Sequence, residues 1–192
     1  MNNFLIPQLV ALFDACVLYP APLRDLLMHL ALTDLFRAKW TETIHQEWIK
    51  NVLANWPDLT LSQLQRTREL MDSHVRDCLI TEYEHLISVL SLPDLNDRHV
   101  LAAAIKAEAS RIVTYNLKDF PEKSMHKHGI EARHPDDFIS YLIDMAPGTV
   151  CIAVQRLRNT LKNPSIEKEK YLEILGKQSL SKTVDKLRVL IS

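Results

Sequence analysis

Short apolar runs alternate along the chain with longer stretches in which apolar residues recur at helical spacing. The short runs, typical of buried strands, cover residues 9–13, 78–80 and 111–114. The helical stretches cover residues 23–32, 41–54, 60–71, 83–90, 100–105 and 135–143, with Thr41 and Asp94 as predicted N-caps and a capping box opening at Thr60. Strands that alternate with helices indicate an α/β architecture built on a parallel sheet.

The pattern changes at a proline-glycine pair, residues 147–148, which is typical of a boundary. Beyond it the chain contains two or three amphipathic helical stretches, with breaks predicted at Pro164 and Gly176. We therefore expect one domain over residues 1–147 and a helical C-terminal extension over residues 148–192.

Composition and charge narrow the class of protein. The chain has 192 residues, enough for one globular core with an appendage, and only 3 glycines, too few for a glycine-rich phosphate loop or a dinucleotide fingerprint. Its 3 cysteines are scattered without zinc-ligand spacing, and no secretory signal or membrane-spanning run is recognisable, so we expect a soluble cytoplasmic protein. Charge is uneven: the net charge is -1 overall, but nine basic residues stand against four acidic ones from Cys151 onward.

Four acidic residues stand where a parallel α/β sheet places functional groups, at the carboxyl ends of strands and in nearby turns. Asp14 ends the first predicted strand, and Asp119 lies in the loop after the strand that ends at Thr114. Asp97 opens the alanine-rich helix, and Glu47 lies within a predicted helix. Each acid alone also has an ordinary interpretation, as a cap, a turn residue or a solvated side chain. Asp14 fits that interpretation least, because it follows a buried strand and an unpaired buried carboxylate costs folding free energy.

The order and context of these acids resemble the PIN domain family, and within it the VapC-like ribonuclease toxins of toxin–antitoxin pairs. The segments that carry the resemblance are residues 12–18 (LFDACVL), 44–48 (IHQEW), 94–104 (DLNDRHVLAAA) and 112–120 (IVTYNLKDF). Together they anchor a resemblance over about residues 7–145, in the family's order. The resemblance implies a three-layer α/β/α fold with a central, mainly parallel sheet, followed here by the C-terminal helical extension.

The same resemblance implies which residues form a nuclease site. The family's catalytic quartet falls on Asp14, Glu47, Asp97 and Asp119, and these acids, with Asp94 as an auxiliary acid, are the implied metal ligands. The positions that hold the fourth acid and the scissile phosphate are matched by Thr114 and Asn116. The basic residues close in sequence to the site, expected to bind flanking phosphates, are Arg24, Arg98 and Lys118.

A cluster of carboxylates repels itself, and a divalent cation removes that cost. We expect Mg²⁺ or Mn²⁺, because these hard ions take oxygen ligands and promote displacement at phosphorus. The prediction is a metal-dependent endoribonuclease that cleaves RNA phosphodiester bonds, and the family pattern implies products with 5′-phosphate and 3′-hydroxyl ends. The expected partners are RNA, a protein antitoxin and a second copy of the chain, with no membrane partner.

Several alternatives stay open. Two other functions fit the same residues: a non-catalytic PIN-fold module that binds protein or RNA, and a PIN nuclease that processes RNA without an antitoxin. His45 and His99 are interpreted as packing or surface residues, and His126, His128 and His134 as members of a solvated loop rather than a transition-metal site. The basic extension is consistent with a solvated helical bundle, with an RNA contact and with a docking surface for an antitoxin.

Overall fold

A four-stranded parallel sheet lies at the centre of the computed structural model, which describes residues 9–161 and 166–191. The strands are β1 (Val10–Phe13), β2 (Arg37–Lys39), β3 (Arg111–Val113) and β4 (Glu131–Arg133), in the order β2-β1-β3-β4. Every pairing is parallel, and the register aligns Leu12 of β1 with Lys39 on one side and Ile112 on the other. The carboxyl ends of these strands therefore lie along one edge of the sheet.

Helices pack around this sheet and continue into the extension. They are α1 (Ala15–Leu18), α2 (Ala21–Ala31), α3 (Glu42–Asn55), α4 (Leu61–His74), α5 (Glu84–Ile87), α6 (Arg98–Lys106), α7 (Glu122–His126), α8 (Pro135–Met145), α9 (Pro147–Thr160), α10 (Lys168–Gly176) and α11 (Ser181–Leu190). The predicted α/β/α fold with C-terminal helices is confirmed.

The two central strands are held in the core from both faces. Their fully buried side chains include Leu12, Phe13, Ile112 and Val113. On one side α6 presents alanines at residues 102–104, also fully buried, whose small side chains allow the helix to lie close to β1 and β3. Phe13 also packs edge-on against the ring of Phe138, with 6.2 Å between ring centroids. Because β1 is fixed in this way, the position of the residue that follows it, Asp14, is fixed as well.

Most predicted elements are confirmed, including both central strands. Thr41 caps α3 by accepting a hydrogen bond from the backbone N–H of Ile44, and Thr60 opens α4 in a capping box with Gln63. The strand predicted over residues 78–80 is wrong, because that segment forms only an isolated parallel bridge with Trp40. The helix predicted over residues 83–90 is shorter, the 4-residue α5.

The two outer strands were not predicted. β2 reads Arg-Ala-Lys and β4 reads Glu-Ala-Arg, so neither contains an apolar run.

The solvated loop predicted around His126, His128 and His134 is also corrected. His126 ends α7, and His134 caps α8 by accepting a hydrogen bond from the backbone N–H of Asp136. His134 therefore has a structural role at the start of a helix rather than a place in a solvated loop.

The extension is bound to the main body through α8 and α2. α9 packs against α2, and α11 packs against α8. The carboxylate of Asp136 in α8 accepts hydrogen bonds from the backbone N–H groups of Lys182 (3.0 Å) and Thr183 (2.8 Å) and thereby caps α11. Ion pairs join Lys182 to Asp137 and Lys186 to Asp144, each at 2.5 Å. Acids on α8 thus neutralise part of the positive charge of the extension.

The predicted break at Gly176 is confirmed as the end of α10, whereas the break predicted at Pro164 lies outside the described residues. The domain boundary after residue 147 stays a prediction.

No single helix in the described part of the chain has the length and hydropathy of a bilayer-crossing segment. The helices α8 and α9 meet those limits only when taken together, and they are bent by 119° at their junction.

Candidate active site

Asp14 stands at the carboxyl end of β1 and is held there by two side-chain donors. Its Oδ2 atom accepts a hydrogen bond from Oγ1 of Thr114 at 2.6 Å and another from Sγ of Cys16 at 3.1 Å. Burial raises the pKa of the Cys16 thiol to about 12, so the thiol keeps its proton and remains a donor. Asp14 is only 5% exposed, and these bonds supply part of the polar environment that a buried carboxylate requires.

The hydroxyl of Thr114 contacts the first acid, Asp14. Its hydroxyl is fully buried, donates to Asp14 and accepts from the backbone N–H of Asn116 at 3.0 Å. We expected Thr114 to hold the fourth acid and the scissile phosphate; the structure corrects this, because a fully buried hydroxyl engaged with Asp14 is not exposed to a phosphate. Asn116 is exposed at the same loop and stays a candidate for phosphate contact.

Asp97 is the centre of an aspartate pocket formed by Asp14, Asp94, Asp97 and Asp119. It ends a short 3-10 turn, Leu95–Asp97, which Asp94 caps by accepting from the backbone N–H of Asn96 at 2.8 Å. Burial, followed by the negative charges of Asp14, Asp94 and Asp119, raises the pKa of Asp97 to about 6. Charges influence a pKa only over short distances, so Asp14 and Asp119 lie within electrostatic range of Asp97 although they are far from it in sequence.

Glu47 contacts a histidine, His99, that acts electrostatically on the aspartate pocket. Its Oε1 atom lies 2.9 Å from Nε2 of His99, and the electrostatic effect of His99 on Asp97 opposes the rise in the pKa of that carboxyl. His99 is 9% exposed, and its Nδ1 atom is buried without a hydrogen-bond partner among the described residues. Our interpretation of His99 as a packing or surface residue is therefore corrected: it is a buried side chain that pairs with Glu47 and acts electrostatically on Asp97.

A buried polar network fixes the helix that carries Glu47. Trp48 donates its indole N–H to Nδ1 of His45 at 2.9 Å, so the ring proton of His45 is on Nε2, which contacts Asp72 at 2.9 Å. The same Asp72 oxygen accepts from the indole N–H of Trp40 at 2.8 Å. The interpretation of His45 as a packing residue is confirmed, since it is fully buried. The sequence gives no signal for Asp72, because it is one of two acidic residues in a helix with many polar residues.

The three basic residues expected around the site have different environments. Arg24 is only 7% exposed; its Nη1 atom donates to the carbonyl oxygen of Leu18 at 2.7 Å, and its guanidinium lies 4.8 Å from the ring centre of Trp48. The expectation that Arg24 binds a phosphate is therefore wrong, because its guanidinium is enclosed in the core. Arg98 is half-buried and donates through Nε to Leu95, while Lys118 is exposed. Arg98 and Lys118 stay candidates for phosphate contact.

The donors of the aspartate pocket fit a hard divalent cation that keeps part of its water shell. Within residues 9–161 and 166–191, no group of three or more His, Cys, Asp or Glu side chains is already arranged to hold a metal ion. Mg²⁺ needs fewer protein ligands than that, commonly one or two carboxylates completed by water and substrate oxygens. The donors here are carboxylate oxygens, and the hydrogen bonds from Thr114 and Cys16 both end on Oδ2 of Asp14, so Oδ1 would be the oxygen available to a cation.

Two family profiles and one curated protein match the sequence of this chain. A family profile described as "PIN domain" matches residues 10–118, more than half of the chain, and one described as "VapC50 C-terminal domain" matches residues 135–189. The chain is 34% identical over 96 residues to a protein named "Putative ribonuclease VapC50" from Mycobacterium tuberculosis, a match that covers 50% of this chain and 56% of that protein. The chain thus spans about half the length of this curated relative. No solved structure matches the chain.

Proposed function

Because the chain belongs to the PIN domain family, we propose that it is a metal-dependent endoribonuclease that cleaves RNA phosphodiester bonds. The observation that supports this best is the aspartate pocket, in which burial and neighbouring charges raise the pKa of Asp97 to about 6. Acids forced together in a fold destabilise it unless they bind a proton or a cation, so such a pocket is suited to a divalent cation. The Mycobacterium tuberculosis relative is named a putative ribonuclease, and this likeness supports the same activity.

In this proposal Asp14 and Asp97 hold Mg²⁺ or Mn²⁺, and Asp94 is an auxiliary ligand. When bound, the cation supplies a more acidic water and stabilises negative charge on the phosphate during displacement. Glu47 and Asp119 either ligate as well or orient the attacking water. The substrate phosphates are contacted by Asn116, Arg98 and Lys118, and the products carry 5′-phosphate and 3′-hydroxyl ends.

Buried neighbours keep these acids in place for the reaction. Thr114 orients the carboxylate of Asp14 by holding Oδ2, and His99 orients that of Glu47 by holding Oε1. Both supporting side chains are buried, so neither turns freely in solvent. A site held by such neighbours loses little free energy to rearrangement when the substrate arrives.

We further propose that this ribonuclease is the toxin of a toxin–antitoxin pair that acts in the cytoplasm. The name of the relative, VapC50, and the two family matches support this role. The partner is then a protein antitoxin that lays a segment into the cleft of the toxin, with an arginine that reaches the acids. A second copy of the chain is a further expected partner.

The decisive experiment compares wild-type protein with Asp14→Asn on single-stranded RNA in Mn²⁺, Mg²⁺ and EDTA. We expect cleavage by the wild type only with a cation, and a loss of about 100-fold or more in the variant, the magnitude typical of removing one essential electrostatic group. Asp58→Asn, at an exposed position, is the matched control. Full activity of Asp14→Asn would overturn the proposal, and a folded wild type that binds but never cleaves RNA would favour the non-catalytic module.

The toxin role is tested separately in growing cells. Expression of the wild type is expected to arrest growth, and both Asp14→Asn and co-expression of a small neighbouring gene are expected to restore it. Metal-dependent cleavage without growth arrest would indicate the alternative, a nuclease that processes RNA without an antitoxin.

A further inference from the structure

The turn between α10 and α11 contacts the loop that carries part of the active site. The hydroxyl of Tyr115 donates a hydrogen bond to the carbonyl oxygen of Gln178 at 2.7 Å. Tyr115 directly follows Thr114, and its backbone N–H donates to Sγ of Cys16 at 3.3 Å. The residue that contacts the extension is therefore the immediate neighbour of the residue whose hydroxyl holds Asp14.

This turn also lies at the same edge of the sheet as the aspartate pocket. Asp14, Thr114 and His134 each follow the carboxyl end of a strand, and the ring of Tyr115 packs edge-on against that of His134 at 5.1 Å. Neighbouring strands lie about 4.8 Å apart, so the ends of β1 and β4 are separated by about 10 Å. Since Asp136 caps α11 at this edge too, the extension stands beside the pocket.

The turn is fixed rather than loosely attached. Leu175 and Leu180, on either side of it, are fully buried. Within the turn, the backbone N–H of Lys177 donates to Glu173 at 3.1 Å and that of Ser179 donates to Gly176 at 3.1 Å. The side chain of Lys177 is exposed, and its backbone belongs to a turn that these contacts hold in place.

Lys177 differs from four other basic residues of the extension in its ion-pair contacts. Ion pairs engage Lys170, Lys182, Lys186 and Arg188. Lys177 forms no ion pair with any residue that the structure describes. The burial of Arg24 leaves Arg98 and Lys118 as cations near the pocket, and both are next to Asp97 or Asp119 in sequence. Lys177 belongs instead to the turn that contacts Tyr115, whose ring packs against His134 at the end of β4.

Resting on the ribonuclease proposed above, we propose that the turn of residues 177–179 forms one wall of the RNA cleft, and that Lys177 binds a backbone phosphate away from the scissile bond. The ligand is a single-stranded polynucleotide: an acidic pocket repels such a chain, and fixed cations on both flanks offset the repulsion. The extension is then part of the substrate site.

The test uses the full chain with Asp14→Asn, which prevents cleavage, and a fluorescent single-stranded 12-nucleotide RNA in Mg²⁺. Binding is measured by anisotropy over a series of salt concentrations for Lys177→Gln and for the control Lys168→Gln, at the opposite end of α10 and about 13 Å away along the helix axis. We expect Lys177→Gln to weaken binding 3- to 10-fold and to reduce the slope of log K against log salt by about 0.7, the value for one phosphate contact on a single strand. Lys168→Gln should change neither.

A second readout uses protein with Asp14 intact: Lys177→Gln should raise KM for the 12-nucleotide RNA and leave kcat unchanged, because the contact lies away from the reacting bond. If the wild type cleaves RNA but the two lysine variants bind and cleave alike, this inference is overturned and the proposed function stands. If the wild type neither binds nor cleaves RNA, the proposed function fails, and the inference fails with it. Equal unfolding midpoints of the two variants exclude misfolding as the cause.

Discussion

Nε2 of His99 lies 2.9 Å from Oε1 of Glu47, and His99 also acts electrostatically on Asp97. The imidazole therefore contacts Glu47, on α3, and lies within electrostatic range of Asp97, in the turn before α6. Because Nε2 faces a carboxylate, it carries a proton and donates it to the hydrogen bond. His99 is thus a positioning residue for Glu47, and its buried place on α6 makes the Glu47 carboxylate part of a fixed arrangement.

We expect His99→Ala to reduce kcat for RNA cleavage about tenfold or more while KM changes little. A hydrogen bond to a charged group contributes about 1.5–3 kcal/mol, and without it Glu47 is free to turn toward solvent. His99→Gln keeps a side-chain donor and should recover part of the activity, which a purely packing role would not explain. Wild-type kcat in a folded His99→Ala protein would show that Glu47 needs no such support.

Stability without metal should fall as the pH rises from about 4 to about 7. The pKa of Asp97 is near 6 in the folded protein and near 3.8 when the group is unperturbed, so the folded state holds a proton that the unfolded state has lost in this range. The associated stability is present below about pH 4 and is lost as the pH passes through 6. Urea unfolding in EDTA between pH 4.5 and 8 measures the decline.

The control for this pH dependence is Asp97→Asn, which removes the titrating group. The variant should show a flatter pH profile and, in EDTA at pH 7.5, a higher unfolding midpoint than the wild type, because one of the repelling charges is gone. Mn²⁺ should stabilise the wild type more at pH 7.5 than at pH 5 and should stabilise the variant much less. An identical pH profile of wild type and variant would show that Asp97 does not titrate in this range.

Replacement of Thr114 by valine tests the hydroxyl that holds Asp14. Valine has nearly the same shape, so the main change is the loss of the 2.6 Å hydrogen bond to Oδ2 of a buried carboxylate. We expect a loss of about 2 kcal/mol in unfolding free energy and at least about a tenfold loss of cleavage. Thr114→Ser retains the hydroxyl and should stay close to the wild type in cleavage rate. Equal rates for the valine and serine variants would contradict this role.

Some of these relationships are readable in the sequence and others are not. Asp14 is predictable because an apolar run carries it to the end of a buried strand, and α6 is predictable from its alanines. The contact between Glu47 and His99 has no local signal, because the two residues are far apart in sequence and meet only through packing of α3 against the body.

Arg24 shows why charge near a site in sequence is a weak guide. It lies on the apolar face of α2 beside Leu23 and Leu27, both of which are fully buried. Its guanidinium contacts a backbone carbonyl oxygen and the ring of Trp48 in place of water. The outer strands were missed for the opposite reason: β2 and β4 are defined by backbone pairing with β1 and β3, while their side chains are largely charged.

The attachment of the extension depends on Asp136, which is 4% exposed and accepts from the backbone N–H groups of Lys182 and Thr183. Asp136→Ala removes this cap of α11 and should lower the unfolding free energy by about 2 kcal/mol. Hydrogen exchange should increase most in α11 and in the turn that carries Gln178. Asp137→Ala is the matched control, because it removes only the exposed ion pair with Lys182 and should leave exchange in α11 nearly unchanged. If the two variants exchange alike, α11 is held by its apolar face against α8 and not by the cap.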